Sequence, residues 1–305
     1  MTRDIGSIMH FSKGKAIETR TIKGLTVSLL ASGFGTEVIH HALKKDSKWA
    51  LGPDEGWQAL EVVFILKGEL IWHQAGKEVR VRAGETLSMQ PILQDAFFSA
   101  KVDTEFLYVT SEPVFHHYSQ AVQEMMNLAV TVEEKDGYTA DHCERIKDLS
   151  MMIGTEMKLN SQEMYELNLG SFLHDVGKVK IPHSILNKPA KLTDEEYSTM
   201  KLHTVYGAEM LEETGLPNLV SAAYIVKHHH ERFNGSGYPY GLKGDEIPIA
   251  AAIVAFVDSY DAMTTERVYS KARPKEQVLE ELQQEKGILY HPDVVDAFLS
   301  IANKK

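Results

Sequence analysis

His174 and Asp175 stand side by side in Leu173-His174-Asp175-Val176-Gly177-Lys178, with a lysine three residues beyond the carboxylate. The C-terminal two-thirds of the chain adds His142, His203, the run His228-His229-His230 and Asp258, each in or beside a pattern that reads as helix. Imidazole and carboxylate together suit borderline divalent metals. Asp175 has two oxygens and can bridge two ions. Such a pair of ions lowers the pKa of a bridging water and holds phosphoryl oxygens during in-line attack. A lysine close by adds positive charge for a phosphate. Any one of these histidines alone reads as an ordinary helix histidine. The whole set, with Asp175 and Asp258, describes a binuclear metal site that handles phosphate.

Composition bounds the rest. A chain of 305 residues suits about two domains. Hydrophobic content of 43% and charged content of 25% are ordinary for a globular protein with real cores. The net charge of -11 excludes a general binder of nucleic-acid polymers, which needs a basic surface. For a phosphorylated substrate, local positive charge must come from elsewhere, and bound metals supply it. Cys143 is the one cysteine, so no internal disulfide forms, which fits a reducing compartment. Met1 to Gly6 shows no apolar core of signal-peptide length. The longest apolar run, Ile247 to Val257, contains Pro248 and is too short to span a bilayer. The expectation is a cytoplasmic chain without a membrane segment.

The elements that must position these groups fall in two classes. Residues 1–111 read as strands. Val79 and Val81 alternate with Glu78, Arg80 and Arg82, the period of a half-buried strand. Glu61-Val62-Val63-Phe64-Ile65-Leu66 is β-rich and closes at Lys67-Gly68, Leu70-Ile71-Trp72 follows, and Phe106-Leu107-Tyr108-Val109 ends the series. Many short strands with glycine turns suggest an antiparallel sandwich or barrel. Residues 112–135 read as a connecting helix, with Val122, Met125, Met126 and Val130 near helical spacing as an interdomain or dimer contact. Residues 136–305 read as helix after helix: Thr139 to about Leu159, a helix capped by Ser161, one from the capping box Thr193-Asp194-Glu195-Glu196 through His203 to about Thr214, Leu219 to Glu231, Pro248 to about Thr264, Pro274 to Gln284 and Pro292 to Ala302.

The passage from Glu61 to Gly68, followed by Gly84-Glu85-Thr86-Leu87 and Pro91, resembles the cupin family over about residues 20–111. The resemblance implies an all-β double-sheet jelly roll. Cupin enzymes hold a metal with two histidines before the glutamate and one after the second glycine. Here Glu55 and Trp57 stand at the upstream positions, and no histidine follows Pro91 until His116. Glu61 alone cannot make the site. The expectation is a cupin-like module without its metal, with His40, His41 and His73 as surface and strand-edge residues. It would serve as a sensor for a small-molecule or protein effector, or hold two subunits together as a homodimer.

The second resemblance is longer. His174-Asp175, then His229-His230-Glu231 followed by Gly237-Tyr238-Pro239, look like the HD-GYP family. The match runs through Asp136-Gly137-Tyr138-Thr139-Ala140-Asp141-His142, Lys178-Val179-Lys180-Ile181-Pro182, Lys188-Pro189, His203, Leu242 to Pro248 and Asp258-Ser259-Tyr260-Asp261-Ala262-Met263, about residues 120–300. It implies an all-α HD-GYP helical bundle that hydrolyses cyclic di-GMP to the linear dinucleotide pGpG, with a further cut to GMP left open. Two divalent ions, iron or manganese, are implied: one on His142, His174, Asp175 and Asp258, the other on Asp175, His203, His229 and His230. Asp175 bridges them, and Lys178 neutralises the scissile phosphate. Arg267 grips another phosphate oxygen with its forked donors. The family's residues also put Lys271, Gly237, Tyr238 and Pro239 against substrate, although whether the Tyr238 loop touches substrate or a partner protein stays open.

This sequence departs from the family at three places. Relatives with a third metal carry a glutamate four residues before the first histidine, and Tyr138 stands there, so two metals are expected. Asn234 replaces an aspartate in the glycine loop. Ser270 stands where a basic residue is common, with Lys271 next. His228 is expected to be a neighbour rather than a ligand. Two alternatives stand beside the enzyme: a catalytically idle receptor for the cyclic dinucleotide, and an HD hydrolase acting on another phosphate ester such as a hybrid cyclic dinucleotide.

Overall fold

Alternating burial carries the N-terminal strands. Along β-forming Thr104–Thr110 every second residue is buried, and Thr36–Leu43 repeats the pattern, so each strand turns one face inward. The computed structural model describes residues 12, 14–22, 24–52, 57–74, 77–136, 141–265 and 272–303. The chain divides into two compact units, Met1–Ser119 and Gln120–Lys305.

In the first unit the strands are β1 (Glu18–Ile22), β2 (Leu25–Gly33), β3 (Thr36–Leu43), β4 (Lys48–Leu51), β5 (Glu61–Lys67), β6 (Glu69–Gln74), β7 (Lys77–Arg82), β8 (Thr86–Met89), β9 (Ala96–Ala100) and β10 (Thr104–Thr110). They form a six-stranded sheet in the order β1-β2-β3-β10-β5-β8 and a four-stranded sheet in the order β4-β9-β6-β7. All neighbours run antiparallel. The core joins both sheets: Val27, Ile39, Val63, Ile65 and Phe106 from one meet Trp49, Leu70, Val81 and Phe98 from the other. This is the double-sheet, cupin-like arrangement.

Glu61 and His41 are among the polar residues buried inside it. Glu61 is buried and accepts from the Trp57 indole Nε1 at 3.2 Å and from the Tyr108 hydroxyl. The carboxylate at the position of the cupin glutamate is therefore spent on hydrogen bonds within the core. His41 was expected at a surface or strand edge. It is instead fully buried, stacked on Phe106 with centroids 4.8 Å apart and edged by Trp49, Tyr108 and Tyr118. Its position in β3 explains this, since it pairs with Phe106 and Val27 on the inward face. His40 points the other way and meets Glu105 at 3.5 Å, and His73 is exposed.

The second unit is helical: α1 (Gln120–Lys135), α2 (His142–Glu156), α3 (Ser161–Phe172), α4 (His183–Leu186), α5 (Asp194–Lys201), α6 (His203–Glu213), α7 (Pro217–His228), α8 (Ile249–Thr264), α9 (Lys275–Gln284) and α10 (Pro292–Asn303). The helix expected as a connector is α1, and it packs on the turn Val176–Lys180 and on α2 within this unit. The nearly all-apolar α8 forms the centre, with Ile253, Val254, Phe256 and Val257 fully buried among α2, α3, α9 and α10. No described helix is long and apolar enough to cross a membrane.

Two local expectations change. Asn160, not Ser161, caps α3: its side chain accepts from the Glu163 amide at 3.0 Å, and Glu163 accepts from the Asn160 amide at 2.8 Å. The capping box needs its acid three residues on, which selects Asn160. The helix expected from Thr193 through His203 breaks at Leu202 into α5 and α6, leaving His203 at a helix start. The Thr193 box holds, with the Glu196 amide 3.2 Å from the Thr193 hydroxyl.

Gly177 fixes how the turn after His174-Asp175 meets α6. A Cβ there would lie 2.0 Å from the His203 carbonyl oxygen and 2.4 Å from the Gly207 amide nitrogen. Backbone crosses backbone, and neither side can yield cheaply. Gly177→Ala should therefore cost at least about 1–3 kcal/mol, the usual range for overpacking, read as a lower melting temperature. A second expectation concerns acid. Burial pushes the His41 pKa down to about 3 from 6.5. Between those values the unfolded chain binds a proton that the folded one refuses. Stability from this site is full above about pH 6.5 and falls as pH drops toward 3, at up to about 1.4 kcal/mol per pH unit. His41→Leu should flatten the acid limb of a melting-temperature profile relative to wild type.

Candidate metal centre

Three of the histidines follow directly on helix ends. The last carbonyls of a helix lack intrahelical partners, and the histidines use them. His174 Nδ1 donates to the Ser171 carbonyl at 2.9 Å, His203 Nδ1 to Met200 at 2.8 Å and His229 Nδ1 to Val226 at 2.8 Å. Those carbonyls belong to the last turns of α3, α5 and α7. His142, at the start of α2, donates from Nδ1 to Asp261 Oδ2 at 2.9 Å. With Nδ1 occupied, each ring presents Nε2 to the same interior. The break at Leu202 thus has a local purpose, since it frees the Met200 carbonyl for His203.

Asp175 lies between the rings. Its Oδ2 is 3.1 Å from His174 Nε2 and 2.8 Å from Lys178 Nζ. Its Oδ1 is 3.1 Å from His203 Nε2 and 3.8 Å from His229 Nε2. Ligand atoms of Asp175, His203, His229 and His230 lie within 4.8 Å of one another, as do those of His142, His174 and Asp258. A third group, Glu133, His142 and Asp175, meets the same limit. The structure therefore gathers all seven expected ligands, with the two Asp175 oxygens facing different sets. His228 lies outside all three groups, against Tyr224 and Tyr240.

The electrostatics suit a cation. Burial first, then neighbouring imidazoles, hold His229 and His230 well below the usual histidine range, so both rings are neutral donors of a lone pair. Burial also works to lower His174, but the Asp175 carboxylate overrides it and raises the pKa to about 9. Burial would raise Asp175, yet Lys178 and His174 hold it well below the carboxylate range. His174 Nε2 and Asp175 Oδ1 are buried and, beyond these ionic contacts, hydrogen-bonded to nothing among the described residues. The buried neutral imidazoles of His229 and His230, an ionised Asp175 carboxylate and the otherwise unbonded His174 and Asp175 atoms fit a divalent metal, and the cluster has the donor set of a divalent-metal centre.

Four further carboxylates and one arginine complete the surroundings, and no role was read for them from the sequence. Asp261 accepts from His142 and from Arg145 Nε at 2.8 Å and Nη2 at 3.0 Å. Those bonds outweigh burial and hold Asp261 below its ordinary range. Its signal was present in the spacing: Asp258 and Asp261 are three apart on α8 and share a face. Glu133 and Asp136, also three apart, close on Lys178. Glu231 is buried and accepts from the Tyr240 amide at 2.8 Å and the Leu242 amide at 3.1 Å, pinning the glycine loop. Within that loop Tyr238 stacks on His230 at 4.8 Å, and a Cβ on Gly237 would lie 2.4 Å from the Arg232 amide nitrogen. Pro239, the next residue, is half-buried. Arg267, Lys271 and Tyr138 lie outside the described residues.

Comparison with known proteins places this geometry. The model of the HD domain family matches residues 122–294, and the chain belongs to that family. A cyclic di-GMP phosphodiesterase of Thermotoga maritima is 41% identical over 204 residues, which is 67% of this chain and 55% of that protein. A 3′3′-cGAMP-specific phosphodiesterase 2 of Vibrio cholerae is 39% identical over 173 residues, 57% of this chain and 33% of that protein. This chain thus spans about half, or less, of the length of these curated relatives. Among solved structures, an RmlC-like cupin from Shewanella frigidimarina aligns with 37% of this chain and 97% of its own, at 17% identity and a TM-score of 0.31.

Asp261 holds the His142 ring in the orientation a ligand needs, the usual work of a carboxylate behind a metal-binding histidine. Asp261→Ala should weaken metal binding by about 10–100-fold, measured by chelator competition, while the melting temperature of the metal-free chain changes less.

Proposed function

We propose that the second unit is a two-metal phosphodiesterase that hydrolyses cyclic di-GMP to pGpG. The observation that carries this is the division of Asp175, whose two oxygens face separate imidazole sets while Lys178 stands 2.8 Å from one of them. The curated relatives named for cyclic-dinucleotide hydrolysis support the substrate class. His142, His174, Asp175 and Asp258 would hold one divalent ion, and Asp175, His203, His229 and His230 the other. Bound there, divalent ions, iron or manganese, supply Lewis acidity and lower the pKa of water.

The chain's own groups do the rest. Lys178 neutralises a non-bridging oxygen of the scissile phosphate. Arg267 and Lys271 take the other phosphate, and Gly237-Tyr238-Pro239 forms a wall beside His230. In the reaction a water oxygen bonds to phosphorus and the P–O3′ bond breaks, leaving a 5′-phosphate and a 3′-hydroxyl that gains the proton. The neutral His229 and His230 imidazoles keep a lone pair for the ions, while the Nδ1 bonds of His142, His174, His203 and His229 keep those rings still. The first unit takes a small-molecule or protein effector, and the chain works as a cytoplasmic homodimer.

A second reading has its own support in the Vibrio cholerae relative: the substrate is a hybrid cyclic dinucleotide. One experiment separates the two. The full chain is purified without oxygen, iron and manganese are counted, and cyclic di-GMP and 3′3′-cGAMP are followed by chromatography. About two metals per chain and faster loss of cyclic di-GMP are expected. Faster loss of 3′3′-cGAMP favours the second reading. Asp175→Ala should abolish turnover and metal together, and an active, metal-loaded variant would overturn the assignment.

A further inference from the structure

We propose that Glu133 and Asp136, at the end of α1, are positioning residues that clamp the Lys178 ammonium beside Asp175. The inference rests on the reading of Lys178 as the phosphate-facing group. Lys178 Nζ lies 2.6 Å from Asp136 Oδ2, 2.8 Å from Asp175 Oδ2 and 3.3 Å from Glu133 Oε1. The lysine is one-tenth exposed and Glu133 one-hundredth. Neither charge is tolerated at such burial without a partner.

On the proposed two-metal reading the Asp175 oxygens would hold the ions, which leaves the lysine to other carboxylates. The carboxylates that stay with the lysine are then those of α1. They are three residues apart and share a helix face, and α1 packs directly on the turn that carries Lys178. The turn itself fixes only the lysine backbone: the Lys178 amide donates to the Asp175 carbonyl, and the Ile181 amide to the Lys178 carbonyl, each at 3.0 Å. A four-carbon stem with free rotamers would wander from that base. Two anchors from a second element hold its end in one place. Glu133 also brings Oε2 to 3.5 Å from His142 Nε2, so the clamp touches the metal cluster and the lysine at once. The helix that opens the second unit is in this way a wall of the site rather than a tether.

The test uses the full-length protein with Glu133→Gln, Asp136→Asn and the double variant. Each is treated briefly with acetic anhydride, and the acetylation rate of Lys178 is read by mass spectrometry against Lys180 and Lys201 as internal references. In wild type Lys178 should be the slow site. The double variant should label Lys178 about tenfold faster with the references unchanged, as expected on losing charge-assisted contacts. A wild-type rate at Lys178 in that variant overturns the clamp. If the double variant does not fold, Asp136→Asn alone decides, with about a threefold rise expected and no rise overturning it. Turnover of cyclic di-GMP is then compared at equal metal content. A fall in kcat that Asp136→Glu partly restores supports positioning. Faster labelling with unchanged turnover keeps the clamp and removes Lys178 from phosphate binding, so the two ideas fail separately.

Discussion

An imidazole can serve a metal only if one nitrogen is free and the ring cannot turn, and the second unit is built around meeting that demand several times at one point. Three rings are fastened to the loose carbonyls at the ends of α3, α5 and α7, and a fourth to Asp261. The helices must therefore all end, or begin, at the same place. The breaks in the chain follow from this. Leu202 interrupts what the pattern makes a continuous helix, α3 stops at Phe172, and α7 stops at His228. The apolar α8 supplies the body against which these ends converge.

The second demand is charge. Glu133, Asp136, Asp175, Asp258 and Asp261 approach the same interior, against Lys178 and Arg145. Burial raises the Glu133 pKa to about 7 even though Lys178 draws it down, and the Asp175 and Asp136 carboxylates push it the same way as burial. Divalent cations reverse that balance. The acidic surroundings and the neutral His229 and His230 are thus two parts of one solution.

Much of this was legible in the sequence, and the reasons differ by element. The clustering of these side chains was readable because His174-Asp175 and His229-His230 are contiguous and because chemistry restricts which residues bind divalent metals. In the first unit the stretches at Glu61, Leu70, Val79 and Phe106 were readable as strands from β-rich runs and glycine turns, with period two seen only along residues 78–82. Glu133, Asp136, Asp261 and Glu231 had no individual signal strong enough, since a lone carboxylate on a helix is ordinarily a solvated one. Their roles come from which face they share with a ligand, and only packing decides that. His41 was misjudged for the same reason: period-two reading shows that neighbours point apart but not which of His40 and His41 points inward. The break at Leu202 was hidden because residues on both sides favour helix and only the need of His203 for a carbonyl interrupts it.

Glu231 has a consequence of its own. It is contiguous with His229 and His230, and its carboxylate ties down the amides of Tyr240 and Leu242 while Tyr238 lies flat on His230. The glycine loop is thereby bolted to the same tripeptide that brings His229 and His230 into the cluster. A loop fastened in that manner does not swing as a lid. It behaves as a die with a set shape, and under the proposed function any choice between ligands is made at entry, by fit, before any bond is strained.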